Sequence, residues 1–169
     1  MTETEFLSAL RERATLLAKG NRFEDMTPGR TFEHHWGRTI SAGDNATFTT
    51  QTLSFCPLYF NELYAQSLGH PKTQVNPLLV FNTVFGLSVE DLSEAGGPFL
   101  GVDDCRFLEP VYEGDTITAR STVISARESK GQAGFGIVTW HTEGFKQYGA
   151  KVIEYQRTNL VRRRSGSGR

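Results

Sequence analysis

Hydrophobic and polar positions along the chain follow three different rhythms. Residues 3–18, "ETEFLSALRERATLLA", place Phe6, Leu7, Leu10, Ala14 and Leu17 at helical spacing with charges between them, and Gly20 stops the segment. This predicts an amphipathic helix packed on the domain. "MTPGRTF" is a turn, and "TFEHHWGRTIS" has the Thr, Phe, Trp and Ile content of a strand. Short helical pieces follow, broken by Pro57, Gly69, Pro71 and Pro77. "PLLVFNTVFGLSVEDLS" is then apolar almost all round its first three turns, which predicts a helix buried on most sides. Pro77 suits its first turn and Asn76 its N-cap.

After Gly96 and Gly97 the period changes to two. Ile117, Ala119, Ser121 and Val123 alternate with polar neighbours. In the next segment Val138, Trp140 and Thr142 share one face, and Ile137, Thr139 and His141 the other. "KVIEYQRTNLV" closes the series. Glycine and polar clusters at 128–134 and 146–150 predict an antiparallel meander. One greasy helix, a strand before it and at least three long strands after it make an α+β fold, an antiparallel sheet curved around a central helix. Such a sheet has an edge or face to cover, which suits dimerisation; the expectation of a homodimer rests mostly on a family resemblance. The division expected is a helix over 1–20, one domain over 21–164 and a disordered tail over 165–169.

Composition narrows the function. With 169 residues, 38% apolar and 22% charged, the chain is long enough for one well-filled core. A net charge of −1 offers no basic field for nucleic acid. The "RRRSGSGR" cluster reads as a frayed end. No apolar run approaches the roughly 18 residues of a membrane span, and no signal peptide follows Met1. A reducing cytoplasm is expected. Cys56 and Cys105 make neither a disulfide scaffold nor a zinc motif, and there is no glycine-rich phosphate loop. No metal and no cofactor are expected.

The phrases "HHWGRTISAGDNATFTTQTLSFCPLYFNELYA", "QVNPLLVFNTVFGLSVEDLS", "LGVDDCRFLEPVYEGDTI" and "GIVTWHTEGFKQYGAKVIEYQRTNLVRR" carry a resemblance. Over roughly residues 32–163 the chain resembles the MaoC-like family of hot-dog proteins, which includes the R-specific enoyl-CoA hydratases. It is most similar to the branch acting on methyl-branched dicarboxylic thioesters such as itaconyl-CoA or mesaconyl-CoA. The resemblance implies a hot-dog fold and water addition across the C2–C3 double bond of an enoyl thioester. Family hydratases write Asp-x-Asn-Pro-x-His across a turn into a short helix, where Asp and His hold the water. The family proline matches Pro57, so the Asp falls on Ser54, the Asn on Cys56 and the His on Tyr59. The itaconyl-type branch writes Asn at the first place and keeps the His; Tyr59 departs from both. At the helix entrance the family often has His-Gly, whose glycine N–H faces the thioester oxygen. Here Asn76-Pro77 stands there, and proline has no N–H.

Each candidate has two readings. Tyr59 is a proton-transferring or donating group, or an aromatic packed under the central helix. Ser54 is a site hydroxyl or a cap for the short helix. Cys56 is a nucleophile or a small buried hydrophobe. Asn76 donates to a thioester carbonyl or caps the helix. Asp44 replaces the lost carboxylate or caps its own helix. Asn61, close to the same proline, and Arg106 are candidate substrate contacts, Arg106 and Arg162 to Arg164 for CoA phosphates. His34 and His35 point in opposite directions, and His35 is taken as a candidate for the substrate cleft. His70 and His141 are expected to do no chemistry.

Three function classes follow. The first is a hydratase or dehydratase with a rebuilt site using Tyr59, Ser54, Asn76 and Asp44. The second is an acyl-thioester enzyme of other chemistry, such as hydrolysis or isomerisation. The third is a non-catalytic acyl-CoA-binding subunit. The expected partner is an acyl-CoA or acyl-carrier-protein substrate. Polar side chains at every altered place favour retuning over decay, which puts the first class ahead.

Overall fold

The computed structural model describes residues 20–164, so the helix expected over 1–20 and the tail over 165–169 lie outside the described residues. Six strands form one antiparallel sheet: β1 Thr31–Glu33, β2 Arg38–Thr39, β3 Phe99–Phe107, β4 Thr116–Glu128, β5 Phe135–Lys146 and β6 Lys151–Arg162. Their order is β1-β4-β5-β6-β3, with β2 also on β4. The helices are α1 Ala42–Gln51, α2 Glu62–Ser67, α3 Pro77–Leu87 and α4 Val89–Leu92. This is the expected α+β architecture, a curved sheet with α3 as its central helix. Among the described residues no helix is long and apolar enough to cross a membrane.

The period-two reading holds in β4 and β5. Ile117, Ala119, Ser121 and Val123 are buried, as are Val138, Trp140 and Thr142. Two expectations change. The predicted strand over "TFEHHWGRTIS" is split, since β1 and β2 pair with different parts of β4 and residues 34–37 arch between them. Strands β4, β5 and β6 form the meander, but β3 pairs with β6 at the far edge. Tight turns join the meander strands, whereas residues 108–115 are long enough to carry the chain across the end of the sheet.

The central helix also differs from expectation. It ends at Leu87, where the Ser88 amide and hydroxyl both bond the Phe85 carbonyl. Buried Arg157 reaches this break from the sheet, bonding Ser88 Oγ and Ser93 Oγ at 2.8 Å each and stacking 4.0 Å from the Phe85 ring centroid. Burial pushes its guanidinium down to about 10, so it stays charged at neutral pH beside the negative end of the helix dipole. Only Val80, Thr83 and Val84 of α3 are buried. Leu78, Asn82 and Gly86, spaced four apart, form an exposed stripe.

Helix α3 reaches the sheet at Gly144, where an added Cβ would lie 2.5 Å from Val84 Cγ2 and 2.8 Å from Ile153 Cγ2. We predict that Gly144→Ala lowers unfolding stability by about 1–3 kcal/mol through overpacking. Gly86→Ala, where nothing stands within 4 Å, should be neutral or stabilising by up to about 1 kcal/mol. Urea titration of both variants tests the contrast.

Candidate active site

Helix α1 opens on a capping box. Ser41 Oγ accepts from the Asp44 amide at 3.1 Å, and Asp44 accepts from the Ser41 amide and hydroxyl at 2.9 and 2.8 Å. Asp44 also receives Arg38 at 3.0 Å. The Ser41 bonds, with Arg38 assisting, hold its carboxyl below the usual range. The cap reading of Asp44 matches this geometry, with its carboxylate fully engaged.

The next residue turns inward. Asn45, 4% exposed, donates from Nδ2 to the carbonyls of Tyr59 and Gln74, both at 2.9 Å, and accepts the Asn76 amide on Oδ1 at 2.8 Å. One amide thereby joins the altered turn, the loop after it and the entrance of α3. Sequence reasoning placed Asn45 in a shared phrase but gave it no role in the site. Its inward neighbour on α1 is Thr49, so the buried face of that helix is polar and leaves no apolar stripe.

The turn itself runs from Ser54 into a 3₁₀ segment, Pro57–Tyr59, and then into α2, capped by Asn61 Oδ1 accepting from the Tyr64 amide at 3.1 Å. Ser54 caps nothing here; its hydroxyl accepts from Asn76 Nδ2 at 3.1 Å. Cys56 is exposed instead of buried. Tyr59 is half-buried, and its hydroxyl makes no hydrogen bond among the described residues. Burial, with the Cys56 thiol adding to it, raises its pKa, so it is a neutral donor and a poor base.

The helix entrance offers no spare amide. Asn76 Oδ1 takes the Leu78 N–H at 3.0 Å, and the Asn76 carbonyl takes those of Leu79 and Val80. Pro77 has none. A thioester oxygen here would therefore be held by a side chain, and the Tyr59 and Ser54 hydroxyls both keep an unused O–H.

The structure thus brings Ser54, Tyr59 and Asn76 together, with Cys56 and Asn61 on the same turn. The remaining candidates lie elsewhere. His34 is the inward member of its pair, and exposed His35 lies 3.7 Å from Glu90. Arg106 sits on β3 opposite Glu154. His34 Nδ1 is 2.6 Å from Asp91 and its Nε2 2.9 Å from Ser121 Oγ, a nucleophile–base–carboxylate line. Ser121 is 0% exposed, so no substrate reaches that hydroxyl, and the line ties α4 to the sheet. His141, Glu143 and Glu154 also converge, but the Lys151 ammonium lies 2.6 Å from Glu143 and 3.0 Å from Glu154.

Comparison with known proteins gives this arrangement its context. The family model for mesaconyl-CoA hydratase matches residues 1–168. The chain belongs to the mesaconyl-CoA hydratase family. Within the family it is 36% identical over 165 residues to the mesaconyl-CoA hydratase of Haloarcula hispanica, covering 97% of this chain and 46% of that protein. It is 40% identical over 145 residues to the beta-methylmalyl-CoA dehydratase of Chloroflexus aurantiacus, covering 86% and 41%. A Chloroflexus aurantiacus crystal structure described as a MaoC domain protein dehydratase superposes with a TM-score of 0.85 at 37% identity, over 92% of this chain and 44% of that one. The hot-dog fold implied by the resemblance is the fold of this chain. The chain spans about half the length of the family relatives it matches.

Removing Asn45 should loosen the whole site. Asn45→Ala strands two carbonyls and one amide in a buried position, and we predict a loss of about 2–4 kcal/mol in urea unfolding. Asn45→Asp should be no better, because a carboxylate cannot donate to either carbonyl.

Proposed function

We propose that the chain is an acyl-thioester hydratase or dehydratase, adding or removing water at the C2–C3 double bond of a short enoyl-CoA or enoyl-carrier-protein substrate. The observation that carries this reading is the intact frame of turn and helix entrance. The Asn45 amide holds the two together, and the Tyr59 hydroxyl on that turn makes no hydrogen bond among the described residues. In this reading Tyr59 donates to the thioester oxygen. Drawing electron density toward that oxygen makes C3 electrophilic and stabilises the enolate that follows attack. Ser54 and Asn76, bonded to each other, hold the floor of the site. The activities named for the relatives support substrates of the mesaconyl-CoA kind. The cytoplasm is the proposed location.

The dimer rests on a separate observation. The stripe of Leu78, Asn82 and Gly86 is uncovered, and the β3 edge exposes Phe99, Leu100, Phe107 and Leu108. Single soluble chains seldom leave so much apolar surface in water. A second copy of this chain is the proposed cover.

Two experiments test these readings. Pure protein incubated with crotonyl-, mesaconyl- and itaconyl-CoA should show water addition by mass, and Tyr59→Phe should lower kcat by about 10²–10³-fold, the usual loss of one oxyanion donor. Tight acyl-CoA binding by calorimetry without turnover would leave the non-catalytic subunit as the better reading. Sedimentation should give twice the chain mass, and Leu78→Asp, within the exposed stripe, should shift it to monomer.

A further inference from the structure

A cavity of about 300 Å³ opens beside the entrance of α3, within the size of small-molecule sites. None of Ser54, Tyr59 and Asn76 lines it, so it is a space apart from the altered turn. Val75, Val80, Val111 and Val152, all buried, make its inner walls, and the half-exposed Phe107 and Leu108 stand on its outer side. Backbone bonds join these walls: the Val75 amide donates to the Val111 carbonyl at 2.8 Å, and Gln74 pairs with Tyr112. The cavity is therefore part of the frame of the fold.

Polar side chains in the lining are few: His70, Gln74 and Glu109. Gln74 Nε2 stands 3.2 Å from Nδ1 of His70 and 3.4 Å from its Nε2. An amide nitrogen only donates, so the nearer ring nitrogen, Nδ1, is the acceptor and the neutral ring carries its proton on Nε2. The Tyr112 hydroxyl, 3.0 Å from Nδ1, holds the ring from the same side. Tyr112 is itself held, its amide donating to Asp115 at 3.0 Å. The Nε2–H of His70 is left with no acceptor among the described residues. A donor held in place without a partner, on a residue lining a cavity, is suited to recognise a hydrogen-bond acceptor.

Charge decides which acceptor fits. No Lys or Arg lines the cavity, and Lys72, nearby in sequence, donates to the Glu113 carbonyl. The only charged residue in the lining is Glu109, exposed and of the wrong sign for a carboxylate. A carboxylate would thus leave water for an apolar space without a counter-cation. An ammonium would find its one anion in water, where pairing is weak, and a donor at His70 where it needs an acceptor. An uncharged carbonyl oxygen meets neither obstacle.

We propose that this cavity is a second small-molecule site, separate from the turn, for a short branched aliphatic compound with one uncharged carbonyl oxygen. His70 Nε2–H donates to that oxygen, and the four valines enclose the aliphatic part. Burying the branched chain against them supplies the affinity, and the single donor sets the orientation. The site stands independently of the hydration reading.

The test titrates the full chain with isovaleramide, isovalerate and isoamylamine, which share one branched skeleton and differ in the head group. Binding is followed by NMR of isotope-labelled histidine rings and valine methyls. Isovaleramide should bind saturably, shifting His70 Nε2–H together with the methyls of Val80 and Val152, and the two charged probes should bind at least about tenfold more weakly. His70→Leu should weaken isovaleramide about five- to thirtyfold, the worth of one hydrogen bond. Equal binding of the three probes overturns the proposal, as does isovaleramide binding that leaves His70 and the valines unshifted. No saturable binding up to the solubility limit overturns it as well. If thermal unfolding shows that His70→Leu does not fold, the order of the probes and the Nε2–H shift in the wild type decide.

Discussion

The candidate site depends on one buried amide. Asn45 is the meeting point of three backbone segments that are far apart in sequence: its own helix, the turn at Tyr59 and the entrance of α3 at Asn76. An Asn side chain suits this place because it carries two donors and one acceptor group in a single plane. Two carbonyls and one amide need just that set. No charged or apolar residue of similar size satisfies all three, so the geometry of turn and helix entrance is bound to this one residue.

A second constraint comes from area. Helix α3 is apolar on nearly every side, yet the sheet of one chain covers only the face with Val80, Thr83 and Val84. Gly144 permits the close approach that buries this face, and Arg157 anchors the break after Leu87. The opposite stripe and the β3 edge stay in water. The exposed stripe is the part of the helix that the described residues of one chain do not cover.

The turn and the helix entrance differ from the family motif together. Asn76 satisfies the N–H groups at the helix entrance, so the helix no longer presents a donor. Tyr59, kept protonated by burial and the neighbouring thiol, suits the donor's part and not the base's. His70 comes from a loop that the turn motif does not include, yet it lines the cavity beside the same helix end.

What the sequence determined by itself was the type of structure and the local frame around Pro57 and Pro77. Period-two burial in β4 and β5, the apolar helix after Pro77 and the frame around Pro57 were all readable, because each is a local pattern of side chains. Strand order was not: β3 goes to the far edge because pairing partners are chosen by three-dimensional register. Nor were the tertiary contacts of Asn45 and His70 readable. Asn45 lies on a polar helix face that gives no hydrophobic signal, and its three partners come from positions 59, 74 and 76. His70 looked like a loop residue before a proline until folding placed Tyr112, 42 positions away, against its ring. Hydrogen bonds between distant segments are decided by tertiary packing, and here they decide which polar residues stand beside the turn and the helix entrance.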